Sequence, residues 1–173
     1  GDWSNAAFFL AAKAMGSDIT VENLNFESSQ GDLACYQLFT DLVSNYTIPC
    51  GDIPDLVPIL SVVAAAKCGA TFENIRRLRL KESDRVASVV AMLGALGCQA
   101  TATEDTLTVY PGKFLGGTVD ACGDHRIAMA AAIAATVAQS PVNILGAECV
   151  SKSYPGFWEE YKRLGGQYEL NIR

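Results

Sequence analysis

The sequence predicts an α/β fold of three repeated units, with buried parallel helices inside and sheets outside. Three Gly-Asp pairs, Gly1-Asp2, Gly51-Asp52 and Gly123-Asp124, each precede an Ala- or Val-rich segment that is followed by a strand-like one. The same order recurs three times, which indicates repetition rather than chance similarity between ordinary α/β elements. Because the Ala- and Val-rich segments are apolar nearly all round, the helices they form are expected to be central.

Each unit continues from its first helix through a strand to a second, amphipathic helix. The predicted strands are 19–24, 71–75 and 142–145, and the predicted second helices are 33–43, 82–96 and 155–164. In the middle unit the apolar residues of the second helix fall on one helical face, namely Val86, Val89, Val90, Leu93 and Leu96.

The three units are expected to end differently. The middle unit closes with a hairpin of 98–103 and 107–110 around Glu104-Asp105, and the third ends with a single strand, 168–172. In the first unit Ser44-Asn45-Tyr46 runs almost directly into Thr47-Ile48-Pro49, which leaves no room for a hairpin. Either the first unit is shortened or residues are missing from this sequence.

Length and composition favour one globular domain over residues 1–173, with units of about 1–50, 51–122 and 123–173. Half of the 173 residues are hydrophobic, 18% are charged and the formal net charge is −6. This balance excludes a disordered or coiled-coil chain. A nucleic-acid partner is not expected, because no face-wide basic excess is available. No membrane partner is expected either, because the apolar runs are too short to span a bilayer.

The cysteines do not indicate a metal site. All six are scattered without a Cys-x-x-Cys pair, and His125 is the single histidine, so an ordinary zinc site cannot be completed. Reduced cysteines packed as small apolar residues are expected instead, in a cytoplasmic protein.

Four cations lie at or near predicted helix starts, where they would not stabilise a helix. They are Lys81, Arg85, Arg126 and Lys152. Acidic residues are preferred in the first turn of a helix, so an anionic ligand would explain the reversal. Three parallel helices would direct their free N–H groups to one end of the domain, where such a ligand binds. The alternative is that these cations are solvated or pair with Asp84 and Asp124.

Asp55 and Glu82 are the carboxylates nearest to these cations in the sequence. A carboxylate held among cations and anionic substrates can act as an acid or a base, since its neighbours tune its pKa. Both residues could equally serve as first-turn acids that stabilise a helix start. The residues themselves leave these two roles open.

The block from Arg79 through Lys81-Glu82-Ser83-Asp84-Arg85, followed by Val86-Ala87, resembles the signature of the 5-enolpyruvylshikimate-3-phosphate (EPSP) synthase family. The other blocks that match in the right order are 1–4, 52–55, 123–130 and 152–155. The resemblance implies the enolpyruvyl transferase fold, in which two similar domains of three βαβαββ units enclose the active site. The chain is therefore expected to be the C-terminal domain alone, lacking the other half and an N-terminal strand with catalytic residues.

The resemblance also implies a reaction: transfer of the enolpyruvyl group of phosphoenolpyruvate to the 5-hydroxyl of shikimate 3-phosphate, with release of phosphate. This is a step of the shikimate pathway towards chorismate and aromatic amino acids. A related enzyme that acts on UDP-N-acetylglucosamine and a catalytically silent anion-binding or assembly domain are the alternatives. The isolated chain is expected to be inactive, and its natural partner is the missing half.

The resemblance further assigns roles to individual residues. Glu82 is the expected proton donor and Asp55 the base near the 5-hydroxyl, while Lys81 approaches the shikimate phosphate ligand or its hydroxyl. The phosphate and carboxylate of phosphoenolpyruvate are expected to be held by Arg85, Arg126 and Lys152. His125 and Asp124 are expected to support the site rather than to react. No cofactor and no metal are implied.

Overall fold

The computed structural model describes residues 2–42 and 46–171, and in these ranges the chain forms six α-helices and six strands. The helices are α1 (Trp3–Ala14), α2 (Cys35–Asp41), α3 (Val57–Ala66), α4 (Arg85–Ala95), α5 (His125–Ala135) and α6 (Phe157–Arg163). The strands are β1 (Tyr46–Pro49), β2 (Ala70–Glu73), β3 (Ala100–Ala102), β4 (Thr106–Val109), β5 (Gly117–Asp120) and β6 (Val142–Leu145). Short 3-10 helices cover Gly31–Ala34, Pro54–Leu56, Arg76–Leu80 and Ala147–Lys152.

The helices α1, α3 and α5 pack against one another at the centre of the molecule. Residues 57–65 of α3 and 127–134 of α5 are all buried. Their side chains are mostly Ala, Val, Ile and Leu, so these helices can approach closely and bury apolar surface on every side. The predicted arrangement of central apolar helices is therefore confirmed.

Two sheets cover this helical centre, and each begins with a parallel strand–helix–strand unit. In the first sheet the strand order is β1-β2-β4-β3, in which β1 is parallel to β2, β4 is antiparallel to β2, and β3 is antiparallel to β4. In the second, β5 pairs in parallel with β6. Helix α3 connects β1 to β2 and α5 connects β5 to β6, so the same parallel strand–helix–strand arrangement occurs twice. The predicted hairpin of the middle unit is confirmed.

The predicted strand 19–24 is wrong, because the structure has no strand between α1 and the 3-10 helix Gly31–Ala34. Asn23 lies there in the left-handed region, with a φ of 60°. In the middle unit the corresponding strand β2 is stabilised by β4 of the hairpin, and the first unit has no hairpin in its described residues. A strand without a neighbour leaves its backbone groups unpaired, so this segment does not form one.

Other predicted elements differ mainly at their ends. Helix α4 begins at Arg85 rather than at residue 82, because Asp84 accepts a hydrogen bond from the Ala87 N–H and caps the helix. Residues 168–171 do not form the predicted final strand, and Ile172 lies outside the described residues, as do Gly1 and residues 43–45. No helix in the described part of the chain is long and apolar enough to cross a membrane.

Candidate functional site

The starts of α3, α4 and α5 meet at one place, and the side chain of Arg85 joins them. Asp55 precedes α3 in the 3-10 helix Pro54–Leu56, Arg85 is the first residue of α4, and Asp124 is the N-cap of α5. Arg85 donates to Asp55 at 2.8 Å and to Asp124 at 2.8 Å. The sequence predicts that the starts of α1, α3 and α5 converge; the cluster described here joins the starts of α3, α4 and α5, and it places both carboxylates on one guanidinium.

Arg85 is buried, with 1% of its surface exposed, and three carboxylates surround it. Its Nε and Nη2 donate to the two oxygens of Asp124, Nη1 donates to Oδ1 of Asp55, and Nη2 donates to Oε2 of Glu82 at 2.6 Å. Burial lowers the pKa of Arg85, but the three carboxylates outweigh burial and raise the pKa above its ordinary value. The buried guanidinium therefore stays charged.

Asp124 combines a helix cap with an ion pair and is completely buried. Its Oδ1 accepts from the backbone N–H of Arg126 at 3.0 Å, which caps α5. Its Oδ2 accepts from the hydroxyl of Ser83 at 3.0 Å and from Arg85. Buried charges persist where they are paired and hydrogen-bonded, and both conditions are met here.

Asp55 lies among three cations. Besides Arg85, the ammonium of Lys81 lies 3.3 Å from its Oδ1, and Nη2 of Arg126 lies 3.8 Å from its Oδ2. Burial opposes ionisation of Asp55, but Arg126, Lys81 and Arg85 together hold the pKa of this carboxyl below its ordinary value. Asp55 is therefore an ionised acceptor at the centre of the cluster.

Arg126 has a buried donor that lacks a hydrogen-bond partner within the described residues. It follows the first residue of α5, and its side chain is 11% exposed. Its Nη1 is buried and has no hydrogen-bond partner among residues 2–42 and 46–171. An unsatisfied buried donor costs about 1–3 kcal/mol. An anion bound beside Arg126 would remove this cost.

Lys81 and Glu82 lie in the segment between the 3-10 helix Arg76–Leu80 and α4. The Glu82 side chain is about half exposed and that of Lys81 is less exposed, at 48% and 28%. Each side chain is therefore exposed enough to contact a ligand while it stays paired, Lys81 with Asp55 and Glu82 with Arg85. The structure thus brings together six of the predicted site residues, namely Asp55, Lys81, Glu82, Arg85, Asp124 and Arg126.

Lys152 and His125 do not join this network. Lys152 is exposed at the end of the 3-10 helix Ala147–Lys152, which packs on α5, and it forms no ion pair within the described ranges. His125 begins α5, and burial together with the charge of Arg126 lowers its pKa. It is therefore neutral near pH 7 and adds no positive charge.

One carboxylate near the site, Asp32, was not predicted from the sequence. It is buried, it accepts a hydrogen bond from the hydroxyl of Ser4, and the charges of Arg126 and Asp55 both act on it. A Cβ at Gly31 would lie only 2.9 Å from the carbonyl oxygen of Asp52, so glycine allows this segment to approach the turn before Asp55. Gly31-Asp32 is itself a fourth Gly-Asp pair before a helix, a signal that could have found it.

The described residues contain no group of three or more His, Cys, Asp or Glu side chains that could hold a metal ion. The chemistry of the site is that of a cation cluster with carboxylates inside it. Such a cluster can bind phosphate or carboxylate groups and can exchange protons with them.

Comparison with known proteins identifies the family that this chain resembles. The family model for EPSP synthase (3-phosphoshikimate 1-carboxyvinyltransferase) matches residues 1–161. A Clostridium acetobutylicum protein called 3-phosphoshikimate 1-carboxyvinyltransferase is 42% identical over 183 residues, covering 96% of this chain and 43% of that protein. A Clostridium kluyveri protein of the same name is 37% identical over 188 residues, covering 98% of this chain and 44% of that protein.

Solved structures give the same result for the fold. An EPSP synthase structure from Acinetobacter baumannii superposes with a TM-score of 0.69 and 26% identity, covering 98% of this chain and 47% of that one. The chain thus spans less than half the length of these relatives. The matched regions of 183 and 188 residues also exceed the 173 residues of the chain, so the relatives carry residues that have no counterpart here.

Proposed function

Because the chain belongs to the EPSP synthase (3-phosphoshikimate 1-carboxyvinyltransferase) family, we propose that it forms one half of an enolpyruvyl transferase active site. The reaction transfers the enolpyruvyl group of phosphoenolpyruvate to the 5-hydroxyl of shikimate 3-phosphate and releases phosphate. One observation carries the proposal: the buried, unpartnered Nη1 of Arg126 lies in a cluster with Lys81 and two ionisable carboxylates. That arrangement suits an anionic substrate which must both gain and lose a proton.

The carboxylates divide the proton transfers between them. Glu82, once protonated, gives its proton to the methylene carbon of phosphoenolpyruvate, while the 5-hydroxyl oxygen bonds to the adjacent carbon and passes its proton to Asp55. The tetrahedral intermediate then loses phosphate, which takes up the proton from Asp55, and a proton of the new methyl group returns to Glu82.

The cations stabilise the charge of the substrates and of the intermediate. Arg126 donates its free Nη1 to an anionic group of phosphoenolpyruvate, and Lys81 reaches the shikimate ligand from the other side of Asp55. Arg85 contributes its charge and one remaining N–H, because its other donors already hold Glu82, Asp55 and Asp124. Lys152 is proposed as a further cation for phosphoenolpyruvate on the family resemblance alone. Positive charge fixed before reaction lowers the barrier for a multiply charged intermediate.

The remaining contacts to shikimate 3-phosphate belong to the half of the relatives that this chain does not span. We therefore expect the 173-residue chain to show no turnover by itself. Closure of a second domain over the site would complete it and exclude water. The second candidate function, a silent anion-binding domain, needs only the unpartnered donor of Arg126 and predicts that turnover never appears.

Reconstitution tests the proposal. The chain is mixed with the N-terminal half of the Clostridium acetobutylicum relative, and phosphate release is measured with both substrates present. Turnover that needs both halves is expected. Turnover by the chain alone, or none with any complementary half while phosphoenolpyruvate still binds, would contradict the two-half proposal, and the latter would favour the silent domain.

Glu82→Gln tests the assignment of the proton donor in the reconstituted protein. It should lower kcat by about 10²- to 10⁴-fold, the usual contribution of a positioned acid, while binding of phosphoenolpyruvate changes little. The matched control is Glu159→Gln, at an exposed glutamate of α6, which should leave kcat unchanged. Equal kcat values for the two variants would remove Glu82 from its role.

A further inference from the structure

Arg79 connects two structures that flank the site, although the proposed reaction gives it no task. Its Nη1 donates to Oδ2 of Asp84 at 3.2 Å, and its Nη2 donates to the carbonyl oxygen of Thr103 at 2.8 Å. Asp84 caps α4, whose first residue is Arg85, and Thr103 begins the turn between β3 and β4. One guanidinium therefore ties the start of α4 to the hairpin tip, which comprises residues 103–106.

The hairpin tip also holds the 3-10 helix Arg76–Leu80 at its other end. The backbone N–H of Ile75 donates to the carbonyl oxygen of Asp105 at 3.3 Å, and that of Arg76 donates to its carboxylate at 3.2 Å. The tip itself is closed by a hydrogen bond from the Thr103 N–H to the carbonyl oxygen of Thr106 at 2.9 Å. The turn is thus stabilised by its own hydrogen bond, and the start of the 3-10 helix is hydrogen-bonded to it.

The segment that contains Lys81, Glu82 and Ser83 lies between the 3-10 helix Arg76–Leu80 and the N-cap Asp84, both of which are attached to the hairpin tip. In the described ranges, the backbone N–H groups of 81–83 donate no backbone hydrogen bond. The segment is held by its ends and by its side chains, which reach Asp55, Arg85 and Asp124. The position of its ends therefore decides whether those side chains meet their partners.

We propose that Arg79 is a positioning residue, which acts through Asp84 and the hairpin tip to place Lys81 and Glu82 in the site. The inference rests on the proposed function for the chemical roles of Lys81 and Glu82, but its geometry does not. Arginine suits this task because its planar fork serves two acceptors at once, whereas lysine is a single point charge. The tip of the β3–β4 hairpin thereby becomes part of the machinery that supports the site.

The first test measures motion and needs no turnover. In the 173-residue chain, Arg79→Gln should lower the ¹⁵N backbone order parameters of residues 81–83 from about 0.85 to below about 0.6. Arg79→Lys, which can keep one of the two contacts, should give intermediate values. The control is Arg76→Gln, because Arg76 also meets the hairpin tip, through Glu104 at 3.5 Å, but does not reach Asp84. It should leave the segment unchanged.

Three results would overturn the inference. One is a wild-type segment that is already mobile, and another is an Arg79→Gln segment that is as rigid as the wild type. The third is an equal loss of order in α3 and α5, which would mean general destabilisation instead of positioning.

The second test uses the reconstituted protein. Arg79→Gln should lower kcat about tenfold or more with a smaller change in the KM for phosphoenolpyruvate, since small misplacements of reacting groups are costly. Arg79→Lys should recover part of the loss. Unchanged kcat with Arg79→Gln would overturn the positioning role. If the reconstituted wild type shows no turnover, the proposed function fails, and the order parameters alone decide on Arg79.

Discussion

Asp55 and Asp32 are neighbouring carboxylates whose surroundings shift their pKa values in opposite directions. Both are partly or wholly removed from water, which by itself raises a carboxyl pKa. Asp55 contacts Arg85 directly at 2.8 Å and has Lys81 and Arg126 nearby, so its pKa is lowered. Asp32 has no such ion pair in the described ranges, so burial dominates and its pKa is raised. The two residues therefore give opposite pH dependences.

For Asp55, the stabilisation comes from the ionised form. A lowered folded-state pKa means that this stabilisation is fully present above about pH 4, the ordinary unfolded value, and is lost as pH falls through the folded value. Asp55→Asn should therefore lower the free energy of unfolding by about 1 kcal/mol at pH 7, a value discounted because the side chain is one-third exposed. The difference should shrink below pH 4. Urea unfolding at pH 3, 5 and 7 measures this, with exposed Asp52→Asn as the control, and a constant difference would contradict it.

For Asp32, the effect of pH on stability is opposite to that for Asp55. A raised pKa means that the native state prefers the protonated carboxyl group, so stability falls as pH rises through the interval between the unfolded and the folded pKa. Asp32→Asn retains an oxygen for the Ser4 hydroxyl and removes the buried charge. It should therefore raise the Tm by about 2 °C at pH 7 and leave it unchanged at pH 3. A lower Tm at pH 7 would show that the attraction of Asp32 to Arg126 outweighs its burial.

Some site residues could be predicted from the sequence, because the preference for acidic residues at helix starts depends only on local position. Cations at helix starts, such as Arg85 and Arg126, break a local preference and are visible without a structure. The sequence could not show that three carboxylates surround Arg85, because Asp55, Glu82 and Asp124 come from three separate segments. Lys152 obeyed the same local rule, yet it is exposed and unpaired within the described ranges, because position at a helix start does not decide the direction of a side chain.

Among the helices, α4 and α5 both begin with an aspartate N-cap, but the two caps differ in burial and in the other contacts that they make. Asp84 caps α4 with a side chain that is 43% exposed, whereas Asp124 caps α5 from a fully buried position and also pairs with Arg85. An ordinary cap contributes about 1 kcal/mol. Removing one partner of a buried ion pair costs about 3–5 kcal/mol, since the other charge stays buried.

Asp124→Ala should therefore lower the free energy of unfolding by about 3–5 kcal/mol, and Asp84→Ala by about 1 kcal/mol. Denaturant unfolding followed by circular dichroism measures both. If Asp124→Ala prevents folding, Asp124→Asn, which keeps the cap and removes the charge, should give an intermediate loss. Equal losses for the two alanine variants would mean that Asp124 acts only as a cap.

The elements that the sequence predicted well are those with strong internal patterns. The buried helices α3 and α5 and the hairpin β3–β4 follow from apolar runs and from alternation, which are local. The strand expected at 19–24 did not form although its pattern is similar, because a strand is completed by a neighbour elsewhere in the chain. The sequence indicates that the first unit has no room for a hairpin. It does not show that the predicted strand would then lack a neighbour, because pairing between strands is a tertiary contact.

For the whole molecule, the net charge of −6 does not show how the positive and negative side chains are distributed. Lys81, Arg85 and Arg126 lie together at one end of the helical centre, and their charges are largely met by Asp55, Glu82 and Asp124. The site is thus close to neutral rather than strongly basic. An anionic ligand must compete with these carboxylates for the cations, so the neutralisation limits nonspecific anion binding.

One cluster of aromatic side chains joins the first unit of the chain to the third. Phe9 of α1 packs on Phe157 of α6 with ring centroids 5.6 Å apart, and Phe157 packs on Trp158 at 5.0 Å. Helix α1 also begins with the fully buried Trp3 and packs on both α3 and α5. The two tryptophans of the chain therefore report on opposite ends of the sequence within one continuous core.

We accordingly expect the 173 residues to unfold as one cooperative unit, although the described residues of the first unit form no hairpin. Fluorescence of Trp3→Phe, which reports Trp158, and of Trp158→Phe, which reports Trp3, should each give the transition midpoint that circular dichroism gives for the same variant in urea. Cooperation is expected because α1 cannot leave the core without exposing apolar residues of α5 and the aromatic cluster. A fluorescence midpoint for Trp3 clearly below the circular dichroism midpoint of its variant would contradict this, and would mean that residues 2–42 unfold separately from a core built by the other two units.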